Sequence, residues 1–307
     1  MMAKPVIIDF VPHAGGILGL LLAAGSPGLD IRAVAVTTNR AEAEKDTALT
    51  LSLLGLLKSP VPLGVGASAP VIALPQAAEF ARGARFPGIL NIPAPTAAAD
   101  TIHAWDLVLQ EASKAPGEVE LITLGPLTNT AIALLRYPEL AKKLKRITIA
   151  GGSAHTGNAS AYGEYSFAAD PYAADAVFKS GVPITMIGLD GLVNGAFTKE
   201  ELASFVGRLS AVTEGIPALF RTVLTASLAD GLQGPDLHNL ITIASVINPG
   251  IGSLSPYYIE IETRSSISVG QTVTDLHYRI GKEPNADILL DLNREGFLSV
   301  LGNVLAG

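Results

Sequence analysis

Short runs of apolar, β-branched residues alternate with longer stretches of helical period, and this alternation constrains the fold of the 307-residue chain more than any other feature. The runs span 6–9, 31–37, 61–65, 119–124, 146–150 and 184–188, and the helical stretches between them span 17–24, 42–57, 97–113, 127–135 and 172–179. A strand that is apolar on both faces must be covered on both faces, and parallel neighbours need a crossover helix between them. The pattern therefore predicts an α/β fold: βαβ units forming a mostly parallel, open, Rossmann-like sheet flanked by helices. Beyond residue 200 the rhythm changes. Residues 200–228 and 237–247 read as helices, 257–262 with 272–275 as a small antiparallel addition, and 293–305 as a closing helix. No linker or repeat interrupts the chain, so a single domain over 1–307 is expected. Residues 82–95 and 151–169, rich in Gly and Pro or in small polar residues, read as long loops of the kind that carry function.

With 49% hydrophobic and 16% charged residues, the chain has ample material for a large core. The apolar stretch 17–24 is too short for a bilayer, which needs about 20 residues, so the hydropathy belongs to the core. Residues 1–9 lack the layout of a signal peptide, and a cytoplasmic location is expected. The net charge of −7 provides no positive field to recruit nucleic acid or an anionic membrane, which leaves a small molecule as the expected partner. The absence of cysteine excludes disulfides, thiolate metal sites and thiol nucleophiles.

Ligands of open α/β sheets bind beyond the carboxyl ends of the strands. Four segments fall there: Asp9 to Gly16, Thr37 to Arg40, Gly151 to Asn158 leading on to Glu164, and Leu237-His238-Asn239. Taken singly they are weak signals. Asp9 reads first as a turn or cap residue, Gly151-Gly152 as a tight turn, and the Asp-Leu-His triplets ending at His238 and His277 as ordinary capping. His13, His155 and His238, all at predicted strand-end loops, raise the functional reading. No dinucleotide fingerprint, P-loop, zincin or nucleophile-elbow motif is present.

In order, these segments resemble the inosine-uridine-preferring nucleoside hydrolases from the first strand to the closing helix. The most specific stretch is Ala150-Gly151-Gly152-Ser153-Ala154-His155-Thr156-Gly157-Asn158, followed by Gly163-Glu164-Tyr165-Ser166 and Asp170-Pro171. Gly125-Pro126-Leu127-Thr128-Asn129, Gly188-Leu189-Asp190, Leu237-His238 and Gly270-Gln271-Thr272-Val273 sit in family order. The resemblance implies hydrolysis of an N-glycosidic bond, a homodimer or homotetramer, and a calcium ion that lowers the pKa of water beside a carboxylate base. It also implies that Asn158 and Glu164 hold the sugar hydroxyls, that Asn39 contacts the sugar, and that His238 lies near the leaving base. Ser166 stands where the family has asparagine, and His13, His155 and Asn239 join the set expected around the substrate.

The chain departs from the family at the metal. The motif DxDPGxDD reads Asp9-Phe10-Val11-Pro12-His13-Ala14-Gly15-Gly16, and Asn239 follows His238 where the family has aspartate. By resemblance, Val11, Gly16 and Asn239 replace calcium ligands, and Gly15 replaces a ribose-binding carboxylate. Calcium takes six to eight oxygens with carboxylates among them, so no calcium site, and no other cofactor, is expected. Two readings of the glycines stay open: drift in a silent site, or an anion cradle of Gly15, Gly16 and Arg40 at a helix N-terminus. Two functions stay open with them. One is a nucleosidase that works without calcium, or with another ion reached through Asp9, His13 and His238, in which Asp9 positions water and His238 assists base departure; the other is a non-catalytic homologue that binds a ribosyl or ribose-phosphate ligand.

Overall fold

The computed structural model describes residues 2–38, 42–58, 60–74, 102–193, 198–209, 214–229 and 237–305. Six strands lie where the alternation predicts them: β1 (Lys4–Phe10), β2 (Leu29–Val36), β3 (Leu63–Val65), β4 (Val119–Leu124), β5 (Leu144–Ala150) and β6 (Ile184–Ile187). Between them run α1 (Ala14–Gly25), α2 (Ala43–Leu56), α3 (Ala104–Lys114), α4 (Thr128–Arg136), the short α5 (Tyr165–Ala169) and α6 (Pro171–Phe178). The C-terminal third holds α7 (Asp190–Val193), α8 (Lys199–Arg208), α9 (Gly215–Ala229) and α10 (His238–Ile247). It closes with β7 (Gly252–Tyr257), β8 (Ile259–Ile261), β9 (Thr272–Thr274), β10 (Ala286–Leu292) and α11 (Arg294–Leu305).

The main sheet has eight strands in the order β3-β2-β1-β4-β5-β6-β10-β7, and β8 with β9 forms a separate antiparallel pair. Only β7, at the edge, runs against its neighbour β10. Sequence patterning misses both of these strands. β7 carries Pro256, tolerated because it lies at an edge, and β10 mixes apolar positions with Asp287 and Asp291. The continuous helix expected over 200–228 is two helices instead: α8 ends at Arg208 with Leu209 as its cap, and α9 starts at Gly215 with φ +76°. The loop expected over 151–169 contains α5 at its end. Residues 82–95, and 97–101 of the expected third helix, lie outside the described residues.

Period-two alternation divides β1 between two cores. Val6, Ile8 and Phe10 enter the core that includes α1, and Ile7 enters the opposite one with residues of α3, α4 and α6. Asp9 shares the Ile7 face and ends at the carboxyl edge. Helix α1 contains no charged residue, and Gly15 through Ala23 are buried. A helix apolar on every side must be covered on every side, which accounts for the 17–24 stretch without a membrane. Among the described residues no helix is long and apolar enough to cross one.

The chain builds outward through β2 and β3, then returns to place β4 on the other side of β1. That reversal opens a crevice at the carboxyl ends of β1 and β4, the position where such sheets bind ligands. On the far side of the site, the turn into β9 presses on α5. Gly270 has φ +80°, and a Cβ there would stand 2.5 Å from the Ala168 Cα. Gly281 has a similar φ of +71° with open space around it. Gly270→Ala is expected to cost at least about 1–3 kcal/mol more than Gly281→Ala in urea denaturation, because only the former forces the backbone of α5 to move. Equal losses would show that the contact with α5 carries no strain.

Candidate active site

Asp9 ends β1 at 2% exposure. Its Oδ1 accepts from Thr37 Oγ1 at 2.9 Å and from Asn129 Nδ2 at 2.9 Å, and the same Nδ2 donates to Thr37 Oγ1 at 2.8 Å. Asn129 Oδ1 in turn accepts from the Ala67 amide at 2.8 Å. The second carboxyl oxygen, Oδ2, is buried without a hydrogen-bond partner. Burial pushes the Asp9 carboxyl up to about 7, against the lowering effect of Asn129 and Thr37.

The segment after Asp9 turns into α1 through His13, whose Nδ1 accepts from the Gly16 amide at 3.1 Å and caps the helix. Gly16 has a packing reason to be glycine, since a Cβ there would lie 2.1 Å from the Val11 carbonyl oxygen. The structure thus corrects the anion-cradle reading at Gly16, because its N–H is already satisfied by His13. Gly15 is buried in the first turn of the same helix. Arg40 and Asn39 lie outside the described residues.

Across the crevice, the loop after β5 is organised by two buried carboxylates. Glu164, 3% exposed, caps α5: its Oε2 accepts from the amides of Gly152 at 2.9 Å, Ser166 at 3.0 Å and Phe167 at 3.4 Å. Burial raises this carboxyl to about 7, more than those donors and the Ser166 side chain lower it. Asn158 Oδ1 accepts from the Tyr165 amide at 2.8 Å, so the two residues expected at the sugar also hold the loop that carries them. Asp190, at the start of α7, is the second carboxylate. It accepts from Ser153 Oγ at 3.1 Å, from the Ala154 amide at 2.7 Å and from His155 Nδ1 at 2.9 Å.

His238 begins α10 at 7% exposure, with Nε2 against the Ile187 carbonyl at the end of β6. Burial lowers its imidazole to about 4, against the opposing effects of that carbonyl and of Asp190, so the ring is neutral near pH 7. Asn239 is buried beside it, where a Cβ on Gly19 of α1 would lie 3.4 Å from the Asn239 Cβ. The fold therefore brings Asp9, His13 and Asn239 around the N-terminal half of α1, and Glu164, Ser166, Asn158 and His155 onto the loop after β5. Thr37 opens one of the four strand-end segments expected at the ligand but has no expected role of its own, and Asn129 and Asp190, though inside family-like segments, are not expected at the site.

A calcium ion does not fit these residues. Asp9 Oδ2 is a free carboxylate oxygen, but the adjoining motif positions are Val11, Gly15 and Gly16, and the late position is the amide Asn239. Among the described residues no group of three His, Cys, Asp or Glu side chains stands close enough to hold a metal.

The sequence profile of the inosine-uridine preferring nucleoside hydrolases matches residues 6–299. The chain belongs to that family. It is 32% identical to the non-specific ribonucleoside hydrolase RihC of Shigella flexneri, an alignment that covers 99% of both chains, and equally so to RihC of Escherichia coli K12/DH10B. Among solved structures, a plant nucleoside hydrolase, PpNRh1, superposes with a TM-score of 0.84 at 23% identity, covering 98% of both chains. A purine-preferring ribonucleoside hydrolase from Gardnerella vaginalis gives 0.82 at 22%, covering 99% of this chain and 98% of that one. These nucleoside hydrolase structures share the fold described above.

The raised Asp9 carboxyl has a direct consequence for stability. In the unfolded chain it titrates near 3.8, and in the folded protein near 7. Between those values the folded state binds the extra proton, so this group stabilises the fold at low pH and its contribution is lost as pH rises through about 7. Glu164 acts in the same sense, and His238 in the opposite sense between about 4 and 6.5. Asp9→Asn isolates the Asp9 contribution. Relative to the variant, the wild-type protein is expected to lose thermal stability between pH 5 and pH 8; parallel melting curves across that range would place the Asp9 carboxyl in an ordinary, solvated environment.

Proposed function

We propose that this chain hydrolyses the N-glycosidic bond of a ribonucleoside or related riboside without a resident calcium ion. The observation that carries the reading is a buried carboxyl group, Asp9, with one oxygen free of partners at the switch point of a nucleoside hydrolase fold. A group with a pKa near 7 suits base catalysis at neutral pH, because it is both substantially ionised and able to take a proton. In the reaction, a water oxygen bonds to the anomeric carbon and the glycosidic electron pair leaves with the nucleobase. The water proton passes to Asp9. The transition state has oxocarbenium character, and carboxylates beside the sugar stabilise it. Glu164 and Asn158 supply an acceptor and an amide at the sugar hydroxyls. His238, neutral and held by the Ile187 carbonyl, shapes the base side of the pocket. The family relationship also leads us to expect a cytoplasmic homodimer or homotetramer, with a light-scattering mass of two or four chains.

The test is release of free ribose from a panel of ribonucleosides by chelator-treated protein. We expect turnover that survives chelation, is not raised by added calcium, and falls about 10²-fold or more in Asp9→Asn. Turnover that disappears with chelator and returns with calcium would overturn the metal-independent mechanism. Absence of any turnover, together with stabilisation by ribose or ribose phosphate, would favour a non-catalytic binder.

A further inference from the structure

Cleavage of a nucleoside requires a proton for the departing base as well as a base for water, and the residue expected to supply it is badly placed. His238 has its Nε2 committed to the Ile187 carbonyl, and its ring is 7% exposed. A second histidine has the opposite properties. His155 lies on the loop after β5, its side chain 62% exposed, and its Nδ1 is 2.9 Å from Asp190 Oδ1. The Asp190 side chain is only 6% exposed and is itself fixed by the Ser153 hydroxyl and the Ala154 amide. A carboxylate accepts hydrogen bonds and cannot donate them, so Nδ1 carries a proton and the tautomer is set. Nε2 is then the ring nitrogen left for a ligand.

The Ile187 carbonyl that holds His238 ends β6 three residues before Asp190, so His155 and His238 are both anchored at that strand end, and His155 is the exposed ring of the two. An aspartate that fixes the ring and leaves Nε2 outermost is the arrangement by which enzymes aim a histidine at a reacting group.

On the nucleoside hydrolase reading above, we propose that His155 is the proton donor to the leaving nucleobase and that Asp190 is its positioning residue. The Nε2 proton moves to a nitrogen or oxygen of the base as the anomeric C–N bond breaks, and the bonding pair departs with the base. Water closes on the anomeric carbon and gives its proton to Asp9. Solvent then restores the proton on His155.

The experiment compares a nucleoside, whose base needs a proton to leave, with 4-nitrophenyl β-D-ribofuranoside, whose phenolate leaves without one. His155→Asn places an amide near the Nδ1 position, where it can still donate to Asp190, and lacks Nε2; His155→Gln is the second variant. For both we expect kcat/KM on inosine and uridine to fall about 10²-fold, while the nitrophenyl riboside stays within about threefold of wild type. Asp190→Asn should show the same split at smaller size. Equal losses on both substrates would make His155 a binding or structural residue and overturn the proposal, as would unchanged turnover of nucleosides. A wild-type protein that cleaves neither substrate would overturn the nucleosidase reading itself. That result differs from failure of the His155 assignment alone, in which the wild type is active.

Discussion

The Asp9 carboxyl group fastens together three parts of the chain that are far apart in sequence. Residues 9, 37 and 129 meet only because β1 lies between β2 and β4, and the Asp9–Thr37–Asn129 triangle closes at that junction. The loop after β3 is drawn in as well, through the Ala67 amide on Asn129. Space there is so tight that a Cβ on Gly66 would lie 2.1 Å from the Val36 carbonyl oxygen and 2.4 Å from Asn129 Nδ2. The cluster joins the ends of β1 and β2 to the start of α4, while Asp9 retains one buried oxygen with nothing to bond.

The opposite wall follows the same logic with different partners. Glu164 and Asp190 collect backbone amides of the 151–167 loop, and Asp170 gathers the Thr128 hydroxyl with the amides of Val71 and Ala173. Buried carboxylates are costly unless such donors surround them, so each one dictates the local path of the chain. The acidity expressed in the net charge of −7 thus has an architectural share inside the fold, apart from any metal. Where the family concentrates aspartates after the first strand, this chain has an uncharged helix start capped by His13.

Much of this was legible from residue order. The β-branched runs mark six strands, and the Asp9 and Gly151-to-Glu164 segments follow β1 and β5, whereas His238 begins α10 and meets a strand end only through its ring against the Ile187 carbonyl. Thr37 was legible only as the start of a strand-end segment and Asn129 not at all as a site residue, because their shared contact with Asp9 comes only from the strand order. Asp190 was masked for a similar reason: its partner His155 is 35 residues away, on another loop. Of the two readings open for Gly16, neither names its physical requirement, which is the close approach of the Val11 carbonyl. β7 and β10 escaped notice because neither has the unbroken apolar run of the interior strands.

In the proposed chemistry a buried carboxyl, Asp9, and a histidine held by Asp190 take over the work that the family gives to a metal-bound water. Calorimetric titration of calcium into chelator-treated protein at neutral pH tests this most directly. The predicted result is no saturable heat at micromolar calcium, since Asp9 alone among the motif positions offers a carboxylate. A one-to-one isotherm with micromolar or tighter affinity that is lost in Asp9→Asn would contradict it.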